Sequence, residues 1–110
     1  MNARVAPDDM ALASDVARRV KSEFPDARVL LCGSRARCDA HADSDHDILV
    51  LLDERTRVEE DRVSEIARDF LLEGRLWPSV LTTRKETFEI MPEPVWLLIL
   101  NIKKDGVEIP

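Results

Sequence analysis

Two apolar runs joined by a short connection constrain the fold of this chain most strongly. Arg28 to Cys32 and Asp45 to Leu52 are nearly continuous in apolar residues, as is typical of buried strands. The connection between them, Gly33 to Ser44, is short for a parallel crossover that must run the length of a sheet and return. We therefore expect the two strands to pair antiparallel, with the end of the first beside the start of the second.

Amphipathic helices are predicted before the first strand and after the second. Apolar residues follow Pro7 at helical spacing, the first turn is acidic, and Pro25 ends the helix. Thr56 to Glu59 has the form of a capping box that opens another helix, and Gly74 is its natural stop. The residues expected to face the core from these two helices are Leu12, Ala13, Val16, Ala17, Val20, Phe24, Val63, Ile66, Ala67, Phe70 and Leu71.

The sequence of the C-terminal part of the chain predicts a third strand and further helices. Leu76 to Thr82 can form the strand, with Pro78 near its start where a missing amide donor is tolerable, and Thr83 to Glu86 looks like a second capping box. Val95 to Leu100 is apolar on every face and suits a buried helix or a strand, but Pro94 favours the helix. The predicted fold class is α/β (α+β), a small mixed sheet of three to four strands flanked by helices.

Length and composition exclude several classes of protein. A chain of 110 residues with 45% hydrophobic residues predicts a single domain, residues 1–110. The net charge is -6, so a nucleic acid is not expected as a standing partner. No apolar signal-peptide core follows Met1, and Val95 to Leu100 is far shorter than the roughly 20 residues that span a bilayer. We expect a cytoplasmic protein without a membrane partner, in which Cys32 and Cys38 are reduced thiols.

Residues suited to binding phosphate and metal lie at the strand ends that antiparallel pairing would bring together. Gly33 allows a sharp turn and close approach to a ligand, and Ser34 offers a hydroxyl and a helix-start amide, for a brief helix through about Cys38. Asp45 and Asp47 are two apart on a strand, so their carboxylates project from the same face. Such a pair can hold Mg²⁺, which prefers one or two carboxylates together with water and substrate phosphates.

These motifs resemble those of the minimal nucleotidyltransferases of the DNA polymerase beta superfamily. The family signature is similar to Gly33-Ser34, ten intervening residues, and then Asp45-x-Asp47. The segment 33–37 resembles the family's Gly-Ser-x-Ala-Arg-Gly turn, and 44–50 resembles its Ser-Asp-x-Asp-Leu strand. The resemblance implies a nucleotidyltransferase fold, with Gly33, Ser34, Arg35 and Arg37 binding nucleotide and with Asp45 and Asp47 as catalytic metal ligands.

The resemblance also implies an activity and a partner. Family members transfer a nucleoside monophosphate, such as AMP from ATP, to a hydroxyl group with the help of Mg²⁺. Small members resemble the antitoxin of HEPN/MNT modules, in which the partner is a helical HEPN-type ribonuclease toxin that receives AMP on a tyrosine. The implied function is AMP transfer to such a partner protein. Independently of the resemblance, the apolar segment Val95 to Leu100 is expected to belong to the core, and the alternative is that it forms the interface of a homo- or hetero-oligomer.

Two departures from the family pattern favour an alternative function. Cys38 stands where the turn usually has glycine. Active members also place a third carboxylate on the third strand, whereas Leu76 to Thr82 contains none, and Ser79 or Leu81 occupies the expected position. Without that carboxylate, the usual base for the acceptor hydroxyl is missing. The alternative is a catalytically degenerate module that binds nucleotide or a partner protein.

Other roles for individual residues are less favoured. Four residues are of types that bind zinc, namely Cys32, Cys38, His41 and His46. Their spacing, however, is unlike that of a zinc site. His46 should point to the face of its strand opposite Asp45 and Asp47. Lys85 is expected on a solvated helix surface rather than at a phosphate. Surface pairing with nearby aspartates is the alternative to a phosphate role for Arg35 and Arg37.

Overall fold

The computed structural model describes residues 7–32, 46–54, 56–74, 78–92, 95 and 106–110, with the backbone alone at positions 46, 78 and 79. Three helices and four strands lie within these ranges. They are α1 (Pro7–Glu23), β1 (Arg28–Cys32), β2 (His46–Leu52), α2 (Arg57–Leu72), β3 (Pro78–Arg84), α3 (Lys85–Ile90) and β4 (Val107–Ile109). No helix in the described part of the chain is long and apolar enough to cross a membrane.

The four strands form one mixed sheet in the order β3-β2-β1-β4. β1 pairs antiparallel with β2 and with β4, whereas β3 runs parallel to β2. The antiparallel pairing predicted for the first two strands is therefore confirmed. β2 lies between two neighbours, and residues 48–52 of it are all buried, as its continuous apolar sequence predicts.

Helices α1 and α2 cover one face of the sheet, which we call the first face. Its core contains the inward side chains of both helices together with alternate strand residues, including Val29, Leu31, Ile48 and Val50. The sequence predicts eleven residues of these two helices to face the core, and ten of them are buried or partly buried. The exception is Leu71, which is 39% exposed because it lies about 100° around the helix axis from the buried Phe70.

The opposite, second face has a smaller apolar cluster. It contains Leu30 and Cys32 of β1, Leu49 and Leu51 of β2, and Phe88 of α3. Leu81 and Met91 pack against this cluster and are partly buried. Since side chains alternate along a strand, Asp47 lies on the second face with Leu49 and Leu51.

The two ends of α2 follow the sequence prediction. The Thr56 side chain accepts a hydrogen bond of 3.3 Å from the Glu59 backbone N–H, so it caps the helix as predicted. The Thr56 hydroxyl also donates to the Glu59 carboxylate at 2.9 Å. Gly74 adopts a φ of 72°, and its N–H donates to the Leu71 carbonyl at 2.9 Å. Glycine therefore ends the helix as expected.

The second predicted capping box is wrong. Thr83 is a buried residue of β3, in register with Leu51, so its side chain belongs to the sheet. Arg84 is the residue that precedes α3, and its side chain makes no capping hydrogen bond. The third strand is described from Pro78 and ends at Arg84, two residues later than predicted.

The C-terminal strand β4 was not placed by the sequence pattern. It pairs with β1 through the partners Val29–Ile109, Leu30–Glu108 and Leu31–Val107. Two further contacts attach it, because Lys21 Nζ donates to the Ile109 carbonyl at 3.2 Å and Arg28 pairs with Glu108. The short helix predicted at 34–38 lies outside the described residues, as does the predicted C-terminal helix except for Val95, which is helical.

Candidate functional site

The structure describes one of the six predicted site residues. Asp47 is the second residue of β2 and is partly buried. The other predicted site residues lie outside the described residues: Gly33, Ser34, Arg35, Arg37 and Asp45. Their roles at the site therefore stay predictions, and the described strand ends supply the geometry.

Strand register holds the two ends of the segment 33–45 side by side. Cys32, which directly precedes Gly33, is the register partner of Asp47. Directly opposite residues in an antiparallel pair have Cβ atoms about 4.5–5.5 Å apart. The residue before the predicted phosphate motif is therefore an immediate neighbour of a predicted metal ligand. This is the juxtaposition that antiparallel pairing of the strands predicts.

Cys32 is a fully buried free thiol beside the site. Its Sγ lies 3.8 Å from the Leu30 carbonyl oxygen, to which it donates a hydrogen bond. Burial, with a further contribution from the negative charge of Asp47, raises the pKa of the thiol to about 12. The thiol is therefore uncharged at neutral pH.

The described residues contain no group of three or more histidine, cysteine or acidic side chains that could hold a metal ion. Cys38 and His41, which the zinc alternative also requires, lie outside the described residues, and His46 is described only as the first backbone position of β2. The carboxylate of Asp47 is a hard oxygen donor of the kind that Mg²⁺ prefers.

The register of β3 distinguishes the two positions considered for a third carboxylate. Ser79 is the partner of Asp47 in the parallel pairing of β2 and β3. Leu81 is the partner of Leu49 and packs against the apolar cluster of the second face. Position 79 is therefore the β3 position beside Asp47, and the residue there carries no carboxylate.

Lys85 lies at the opposite end of the sheet from Asp47. Its Nζ is 3.3 Å from Oδ1 of Asp53, which follows the last residue of β2. Asp53 is six residues after Asp47, a distance of about 20 Å along an extended chain. Lys85 therefore belongs to an ion pair at the far strand end, and its side chain is partly buried rather than fully solvated.

Comparison with known proteins identifies the family. The model of the family described as "Nucleotidyltransferase domain" matches residues 13–108. No curated protein matches the chain. The matched range contains β1, β2 and β3, and all of β4 except Ile109. It also contains all six predicted site residues.

Solved structures share the fold. A protein from Sulfolobus solfataricus assigned as a nucleotidyltransferase superposes with a TM-score of 0.57 at 23% identity, covering 90% of this chain and 77% of that one. A toxin–antitoxin structure with AMP-PNP gives a TM-score of 0.57 at 14% identity, with coverage of 88% and 72%.

A third similar structure is a mutant of the MntA–HpeT toxin–antitoxin, with a TM-score of 0.55 at 12% identity and the same coverage, 88% and 72%. At these identities the superpositions establish the fold, whereas the family model spans most of the chain. The motif in the sequence, the mixed sheet and the family match agree. The protein therefore belongs to the nucleotidyltransferase domain family.

Proposed function

We propose that this protein transfers a nucleoside monophosphate, AMP from ATP, to a hydroxyl group, with Mg²⁺ held by Asp45 and Asp47. The observation that carries the proposal is the register pair of Cys32 and Asp47. It makes the start of the Gly33-Ser34 motif a neighbour of the Asp-x-Asp strand. Membership of the nucleotidyltransferase family supports a transferase activity.

Each proposed residue has a role that suits its chemistry. Gly33 lets the backbone approach the triphosphate, and Ser34 binds phosphate oxygens through its hydroxyl and its amide. Arg35 and Arg37 add charged contacts to phosphate. When bound at Asp45 and Asp47, Mg²⁺ offsets charge on the phosphate oxygens and favours ionisation of the attacking hydroxyl. The partly buried carboxylate of Asp47, at the end of the sheet, is compatible with this ion.

The acceptor in this proposal is a hydroxyl on a partner protein. Two of the similar solved structures are toxin–antitoxin structures, and one of them contains AMP-PNP, a nucleotide analogue. The sequence resemblance to antitoxins of HEPN/MNT modules points in the same direction. We therefore propose a HEPN-type toxin as the partner and this chain as its antitoxin.

Calorimetry with ATP and Mg²⁺ tests the metal site. The Asp45→Ala, Asp47→Ala double variant is expected to lose the Mg²⁺-dependent part of ATP binding, with at least a tenfold rise in the apparent Kd, because both hard oxygen ligands are gone. Asp53→Ala is the matched control, since Asp53 is an exposed aspartate beyond the other end of the same strand. Unchanged affinity for ATP and Mg²⁺ in the double variant would remove the proposed site.

A second candidate function is a degenerate module that binds nucleotide or a partner without transfer. The observation in its favour is that Ser79, without a carboxylate, is the register partner of Asp47 on β3. Incubation with labelled ATP and the co-purifying partner separates the two candidates. Label transfer that disappears in Asp47→Asn selects the enzyme, and tight complex formation without transfer selects the module.

Ser79→Asp tests whether the missing carboxylate at position 79 is what separates the degenerate module from an active enzyme. A carboxylate at position 79 would supply the missing base and a further metal ligand beside Asp47. We expect label transfer by Ser79→Asp to exceed that of the wild type by tenfold or more if the wild type is degenerate. Ser79→Asn is the control, because asparagine has nearly the same size as aspartate but carries no charge. Equal transfer by Ser79→Asp and Ser79→Asn would contradict the view that this position limits activity.

A further inference from the structure

We draw no further inference here: the strongest candidate, the shallow groove at the sheet end opposite Asp47, where Phe24 and Leu52 lie among an acidic cluster that includes Asp26 and Glu54, carries nothing because no second feature of the described residues points to a ligand or shows what covers the groove.

Discussion

A charged pair of side chains reinforces the attachment of the C-terminal strand to the sheet. Arg28 donates two hydrogen bonds to the Glu108 carboxylate, at 2.6 and 3.0 Å. The hydrogen bond from Arg28 is the main cause that lowers the pKa of Glu108, and Glu108 in turn raises the pKa of Arg28. The side chains are 35% and 49% exposed, so solvent screening keeps the contribution of the pair to stability small.

The ion pair predicts a pH-dependent effect for Glu108→Gln. Because the pKa of Glu108 is lower in the folded state, its stabilising effect is present above the unfolded-state pKa and is lost as the pH falls through the folded-state pKa. We expect the variant to be less stable than the wild type at neutral pH by at most about 1 kcal/mol. The difference should vanish in acid.

Urea denaturation at several pH values measures that difference. Glu54→Gln, at an exposed position outside the sheet, is the control for the loss of one surface carboxylate. A constant difference between Glu108→Gln and the wild type down to strongly acidic pH would contradict the prediction.

At the scale of the elements, local signals fix α2 well and the later elements poorly. Thr56 and Gly74 bound α2 because a side-chain cap and a left-handed backbone both act within one turn of the helix. Thr83 to Glu86 has the same local form as the first capping box, but Thr83 is buried in β3. A helix does begin here, but the pairing of β3 with β2 keeps Thr83 in the strand, so the residue that precedes the helix is Arg84 rather than Thr83.

The end of α2 provides a test of backbone conformation. Gly74 has a φ of 72°, and a Cβ atom added there would meet nothing within 4 Å. Gly74→Ala should therefore lose about 1–2 kcal/mol through backbone strain alone, without a clash. Gly74→Asn should lose less, because asparagine tolerates this conformation better. Thermal unfolding of the two variants checks this order. A Gly74→Ala variant as stable as the wild type would contradict the expected backbone strain.

The whole molecule depends on the packing of the first face. Phe70 of α2 is completely buried in the main core cluster, and the Arg19 guanidinium of α1 lies 4.2 Å from the centroid of its ring. Arg19 also pairs with Glu73 at 3.1 Å, while Arg62 pairs with Glu23 at 2.7 Å. Apolar burial supplies most of the stability, and these exposed contacts add to the alignment of the two helices.

Removal of the Phe70 ring should affect the whole fold. Phe70→Ala is expected to cost about 3–5 kcal/mol, a large part of the stability of a domain of this size. Leu72→Ala is the control, because Leu72 is 84% exposed and its loss should change stability by less than about 0.5 kcal/mol. Urea denaturation measures both, and similar losses in the two variants would contradict the assignment of Phe70 to the core.

The amino-acid sequence by itself determined α1, β1, β2 and α2, together with the candidate site motif. Their signals are local: apolar periodicity, helix caps and stops, and a connection too short for a parallel crossover. The Gly33-Ser34 and Asp45-x-Asp47 motif is likewise recognisable from spacing alone.

Only the tertiary structure decided the register that pairs Cys32 and Ser79 with Asp47, and the existence of β4. The reason is physical, because strand register and edge pairing depend on contacts between residues far apart in the chain. Arg28 and Glu108, for example, are 80 residues apart, and a three-residue strand such as β4 has too few residues to show a period of its own.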